Sequence, residues 1–274
     1  MRKVLVRTAS GIVYIALMVA AVLTPWVAVP LAIFFVIVGL YEFYKLCKDP
    51  TLRPSFAFWL VSAFCVIACF LNFEILKFEG APSIPWLLLL CIAFVSIFIP
   101  ELIQNRDSSM SRMGLGFLGQ MWIVLPLCVL FLIWIPQAPE QVLAFFIIIW
   151  MSDTAAYVMG SLFGKHKIAE KISPGKTWEG FLGSCAITVL LAWVLSLIPY
   201  FQATGFTLWQ WIVLALLTEI FGLVGDLIES LFKRKAGVKD SGNLIPGHGG
   251  VLDRLDSILF ATLPVYAFCL AIGF

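Results

Sequence analysis

Residues 216–232 read LLTEIFGLVGDLIESLF, an apolar run suited to a bilayer that nevertheless carries three acids, Glu219, Asp226 and Glu229. At about 100° per residue, spacings of seven and three place all three on one side of a helix. Gly222 and Gly225 fall on or beside that face and leave room for another helix or a ligand to approach. A carboxylate at mid-membrane depth costs about 2.5–3.5 kcal/mol, so this face meets protein or water and not lipid. The stretch reads as one helix of a membrane bundle with a polar interior. Composition extends that reading to the whole chain: 62% of the 274 residues are hydrophobic, 12% are charged and the mean hydropathy is +1.02. A water-covered globule carries about 25% charged residues, which excludes a soluble domain. Disorder, a collagen-like chain and a secreted disulfide scaffold are excluded too. The net charge is +2, and the 18 bases are too dispersed to form a phosphate-tracking stripe, so no nucleic-acid partner is expected. Cys47, Cys65, Cys69, Cys91, Cys128, Cys185 and Cys269 form no CxxC pair and read as small buried hydrophobes.

Apolar runs bounded by charge or by Pro and Gly predict about nine transmembrane helices, over residues 9–25, 28–46, 55–72, 84–101, 115–135, 139–162, 179–200, 207–232 and 255–273. The expected fold class is therefore an all-α polytopic integral membrane protein. Pro25 and Pro30 make a helical hairpin of the first two spans. The opening MRKVLVR and the apolar stretch ending near Ala20 and Ala21 imitate a signal peptide, but the run continues into another hydrophobic segment, which favours an uncleaved first span. With nine spans and a cytoplasmic N-terminus, 17 of the 18 bases gather on the cytoplasmic side and only Lys77 lies outside. The two longest polar connections, residues 163–178 and 233–254, then share that side. We divide the chain into an N-terminal set of membrane helices, residues 1–135, and a C-terminal set carrying the site, residues 136–274.

The acids locate the site. Asp153 lies inside the sixth span, in IIIWMSDTAAYVMG, and from Gly225 the chain runs GDLIESLFKRKAGVKDSGNLIPGHGGVLDRLDS. Asp253 and Asp256 are three apart at the start of the ninth span, close to the same membrane boundary as Asp226. Three carboxylates in a partly hydrated funnel suit Mg²⁺, a hard cation that keeps waters and is completed by substrate phosphates. Between them Gly237, Gly242, Gly247, Gly249 and Gly250 let backbone N–H groups converge on an anion, and Lys239 and Arg254 add charge. Cation-binding acids beside anion donors point to phosphoryl or nucleotidyl transfer. The blander alternatives are that Asp253 and Asp256 are helix-start acids favoured by the dipole, and that Glu219 glues helices together.

Ser230, Lys233, Arg234, Lys239, Asp240, Gly242, Ile245, Pro246, His248, Gly249, Gly250, Asp253, Arg254 and Asp256 resemble the C-terminal signature of phosphatidate cytidylyltransferases, also called CDP-diacylglycerol synthases. SDTAAYVMGSLFGKHKI followed by SPGKTWEG resembles that family's other cytoplasmic segment and brings in Asp153, Ser173, Lys176, Thr177 and Glu179. The specific match covers roughly residues 150–257. The resemblance implies Mg²⁺-dependent conversion of CTP and phosphatidate to CDP-diacylglycerol and pyrophosphate at the cytoplasmic face of a bacterial inner membrane. It implies Asp226, Asp253 and Asp256 as metal ligands, with Lys239, Asp240, His248 and Arg254 as further catalytic candidates. Ser173, Lys176, Thr177, Lys233 and Arg234 are implied contacts to phosphates or nucleotide. Phosphatidate is already anionic, so His248 is a phosphate contact or a loop-positioning residue and not an obligatory base. The expected partners are CTP, phosphatidate and membrane lipid, with a homodimer as a further candidate.

Two lookalikes are set aside. GLGFLG at 114–119 fits GxGxxG, but no strand precedes it, and close helix packing is the better reading. Gly175, Lys176 and Thr177 imitate the end of a Walker A loop whose first glycine would fall at Glu170. Two rival functions remain: a secondary transporter, since intramembrane acids also mark ion paths, and a CTP-dependent lipid kinase.

Overall fold

The computed structural model describes residues 2–74, 86–104, 106–247 and 249–273. Helices run over Arg2–Leu23 (α1), Pro25–Leu46 (α2), Phe56–Glu74 (α3), Trp86–Gln104 (α4), residues 109–137 (α5), Pro139–Phe163 (α6), Trp178–Ser196 (α7), Leu208–Lys235 (α8) and Leu252–Ala271 (α9). Among the described residues, 6 helices are long and apolar enough to cross a membrane, and shorter apolar helices cover Thr8–Leu23, Trp59–Ala68 and Cys91–Gln104. Each of the expected spans falls on one of these. The protein is an all-α polytopic membrane protein. Lys77 lies outside the described residues.

The chain divides into two compact units. One comprises Met1–Gln137 with Asp240–Asp253, and the other Ala138–Lys239 with Arg254–Phe274. In the first, α1 breaks at Thr24, whose backbone is extended, and Pro25 opens α2 where its missing N–H costs nothing. The core is aromatic: Phe43 stacks on Trp59 at 5.8 Å and meets Trp122 edge-on at 5.5 Å. GLGFLG lies within α5, and its glycines serve packing, as expected. A Cβ on Gly116 would stand 2.8 Å from Trp59 Nε1, and one on Gly119 would touch Leu40 and Phe43. Wide turns occupy Gln120–Val124 and Val129–Trp134 of α5, ahead of Pro126 and Pro136. The N–H groups of Leu125 and Ile135 reach back five residues, to Gln120 and Leu130. The widening accommodates proline rings that would clash with a carbonyl four residues back. Arg112, counted above among the loop bases, is 4% exposed and pairs with the buried Glu101 at 2.7 Å.

In the second unit, α6 and α7 approach closely through glycine: a Cβ on Gly180 would lie 2.9 Å from Ala156 O, and one on Gly183 would lie 2.7 Å from Met159. The polar connection between them folds as a hairpin of β1 (Lys167–Ala169) and β2 (Ser173–Thr177). Gly175, Lys176 and Thr177 therefore sit on a strand, which confirms that they are no Walker loop. Thr207 opens α8 with a capping box, its N–H donating to Gln210 Oε1 at 2.7 Å. Lys233, Arg234 and Lys235 favour the carbonyl end of that helix. Gly237, at φ +60, ends it: the Gly237 and Val238 N–H groups donate to Arg234 O and Lys233 O, each at 2.9 Å. The cysteines are less uniformly buried than expected. Cys128 and Cys269 are buried, whereas Cys91 is exposed on an apolar helix.

Candidate active site

Two helices of the second unit are pinned together at one point. A Cβ on Gly225 would stand 2.5 Å from Asp256 O and 2.8 Å from Phe260 Cβ, so α8 passes α9 at backbone contact there. Asp226 and Glu229, one residue and one turn further on, consequently meet Asp256: oxygens of these three carboxylates lie within 4.8 Å of one another. Lys176, carried by β2, approaches Asp226 Oδ2 at 3.0 Å, and Lys233 pairs with the fully buried Glu229 at 2.6 Å. Two ammonium groups thus face three carboxyl groups. Burial works against the charge on Lys176, but Asp226, Asp153 and Asp256 outweigh it and hold its ammonium above the ordinary lysine range. A raised lysine pKa means the ion-pair contribution is present throughout neutral pH and is lost only as pH rises past that range.

Beside this cluster lies a cavity of about 200 Å³ whose walls include Asp153, Ser173, Lys176, Thr177, Phe181 and Glu219. The elements that shape it are tied by polar contacts. Glu179 accepts from Lys165 N–H at 3.0 Å and from His166 N–H at 3.1 Å, and pairs with His166 Nδ1 at 2.5 Å. Arg234 donates to Ile172 O at 3.1 Å, bracing the hairpin turn. Thr177 Oγ1 accepts the N–H of Gly180 at 3.2 Å and caps α7. A Thr177→Val variant keeps the shape and loses this acceptor, so we expect about 1 kcal/mol of lost stability, read from thermal unfolding in detergent. Glu219 is bonded by the Ser184 hydroxyl and, at 3.5 Å, by that of Thr188, so it links α8 to α7.

The glycine-rich segment, in the first unit, is closed on itself. Asp253 Oδ2 accepts from Ser241 N–H and Gly250 N–H, both at 2.8 Å, and lies 3.0 Å from Ser241 Oγ. Ile245 N–H donates to Gly249 O at 2.9 Å, and Gly247 and Gly249 adopt φ of +76 and +88, open to glycine at little cost. Glu42, from α2, accepts from Val251 N–H at 3.0 Å and Leu252 N–H at 2.9 Å.

Residues 5–272 match the cytidylyltransferase family. The chain belongs to that family. It is similar to the phosphatidate cytidylyltransferase of Staphylococcus aureus strain COL, at 34% identity over 223 residues, 69% of this chain and 80% of the relative. It is also similar to the enzymes of that name from Staphylococcus saprophyticus and Staphylococcus epidermidis, at 44% and 45% identity over 121 residues, in each case 44% of this chain and 45% of the relative. This cytidylyltransferase is thus a nucleotidyl-transferring enzyme of the membrane.

Against the residues singled out in the sequence, the cluster differs in one member. It holds Asp226 and Asp256, with Glu229 as the third carboxylate. Asp253 instead turns its Oδ2 to the loop amides before it, as a helix-start acid does. Ser173, Lys176 and Thr177 come together at the cavity. Lys233 and Arg234 are engaged with Glu229 and Ile172 O. Lys239, Asp240 and Arg254 are exposed, and His248 lies outside the described residues. Glu42 escaped sequence reasoning, although an acid inside the apolar run GLYEFYKL carried the same signal as Glu219.

Proposed function

We propose that the chain is a phosphatidate cytidylyltransferase, joining CTP and phosphatidate to give CDP-diacylglycerol and pyrophosphate. The observation that carries this reading is the gathering of Asp226, Glu229 and Asp256 beside Lys176 and its cavity, in a chain of this family. The names of its relatives support the choice of substrates. The donor set fits a hard divalent cation such as Mg²⁺: all three groups offer carboxyl oxygens, and these lie within 4.8 Å of one another. Such an ion supplies charge neutralisation on the phosphates.

The chain's own residues do the rest. A phosphatidate oxygen bonds to the α-phosphorus of CTP in line, and the bond to the β-phosphate oxygen breaks with its electron pair leaving on pyrophosphate. Lys176, held cationic by its acidic neighbours, faces the phosphates and offsets the charge that develops. Ser173, on the wall of the same cavity, offers a hydroxyl donor to these anions. The nucleophile is already ionised, so no side chain is required as a base. The bias of bases to one side supports a site facing the cytoplasm of a bacterial inner membrane.

Incubating the purified protein with Mg²⁺, α-labelled CTP and either phosphatidate or diacylglycerol tests the reading. Label in lipid, with phosphatidate only, is the expected result. Label left in CDP with diacylglycerol marks a lipid kinase, and turnover of neither kind favours a transporter.

A further inference from the structure

Glu42 is 4% exposed and sits near the end of α2, where the other charged residue of that helix is Lys45. Its carboxylate is bonded by donors near 250 in the chain. Oε1 accepts from Val251 N–H at 3.0 Å and Oε2 from Leu252 N–H at 2.9 Å. The Ser241 hydroxyl lies 3.1 Å from Glu42 Oε2 and 3.0 Å from Asp253 Oδ2, and its single proton serves one of them at a time. Ser241 and Val251–Leu252 bracket the glycine-rich loop, so one carboxylate holds both of its ends. The loop is shaped around that carboxylate. A Cβ on Gly242 would collide with Glu42 Oε1, and one on Gly250 would lie 2.5 Å from Glu42 Oε2. A buried carboxylate is tolerable only while such donors stay in place, so opening the loop would strand the charge. The two amides also belong to the start of α9, where an anion is favoured by the helix dipole.

We propose that Glu42 is a positioning residue for cytidylyl transfer: it staples the loop of residues 241–252 into one fixed form, and CTP binding depends on that form. The positive φ values of Gly247 and Gly249 belong to that form. The proposal rests on the function given above, and it assigns to α2 a part in nucleotide binding although α2 carries none of the signature.

The test compares the full-length wild type with Glu42→Gln and Glu42→Asp in lipid nanodiscs. Glutamine keeps one acceptor oxygen but sets an amide NH₂ against a backbone N–H, whereas aspartate keeps the charge and shortens the reach. We expect the KM for CTP to rise about tenfold in Glu42→Gln, with kcat and the KM for phosphatidate within about threefold of wild type, and Glu42→Asp to fall between. Hydrogen exchange at residues 241–252 should quicken while α6, α7 and α8 keep their protection. Should Glu42→Gln lose protection throughout, the same comparison on Glu42→Asp decides. Unchanged exchange in the loop overturns the staple, and faster exchange with an unchanged KM for CTP overturns its role in the reaction. A wild type that transfers no cytidylyl group overturns the proposed function, and this role with it. A wild type that transfers normally beside an unaffected variant overturns the role of Glu42 alone.

Discussion

An Asp256→Asn variant is expected to lose cytidylyl transfer by about 10²-fold or more, the scale of removing one charge-stabilising group from a preorganised site. The same change should leave the fold intact. Asp256 Oδ1 accepts the Ser257 N–H at 2.7 Å, and the asparagine carbonyl can accept in its place. In chelator, moreover, the variant should melt at or above the wild-type temperature. Asp226, Glu229 and Asp256 bring three carboxyl groups within 4.8 Å, and replacing one removes its share of the desolvation and repulsion that apply when no metal ion is bound. Lower activity with equal or higher stability is the signature of a ligand role. Activity near wild type at limiting Mg²⁺ would remove Asp256 from the site, and a lower melting temperature in chelator would make it a structural residue.

A Gly225→Ala variant is expected to show the opposite combination, with stability and activity falling together. Helix propensity alone favours alanine over glycine by about 1 kcal/mol. Packing decides the sign. The added Cβ would meet Asp256 O at 2.5 Å and Phe260 Cβ at 2.8 Å, and the first is a backbone atom that cannot rotate away. Overpacking of this kind costs about 1–3 kcal/mol, and relief by separating α8 from α9 would draw Asp226 and Glu229 away from Asp256. We expect a net loss of about 1–2 kcal/mol in thermal unfolding and at least a tenfold fall in transfer, since small displacements of reacting groups cost that much. Gly222→Ala is the control: its Cβ would meet Ser257 and Ile149 at 3.7 and 3.8 Å, ordinary contact distances, and the propensity gain should stand. Equal behaviour of the two variants would show that the approach at Gly225 does not place the carboxylates.

Much of the site was legible along the chain because burial leaves a local trace. Asp226 and Glu229 stand out as acids in an apolar run, and Gly225 lies beside them. Lys176 belongs to the one long polar connection between spans that carries a second matching stretch. The hairpin that presents it was not legible, since β1 is three residues long and its alternation is too short to read. The buried state of Arg112 has no local signal in the sequence, and only its packed neighbour Glu101 reveals the pair. Asp253, three residues before Asp256, shares its helical face by spacing, and spacing carries no sign of the loop it meets. At a helix start the preceding loop competes for the carboxylate, and here its amides take it.

From the amino-acid order alone come the membrane bundle, its spans, the family signature and the acids that have no place in lipid. These follow from hydropathy, helical period and the cost of buried charge, all of which act over neighbouring residues. Tertiary structure alone decided that Glu229 completes the carboxylate cluster, and that Glu42 holds a loop 209 residues away from it. Hydrogen-bond partners and backbone approach depend on which distant segments pack together. That choice belongs to the folded chain and is not written in the spacing of any one helix.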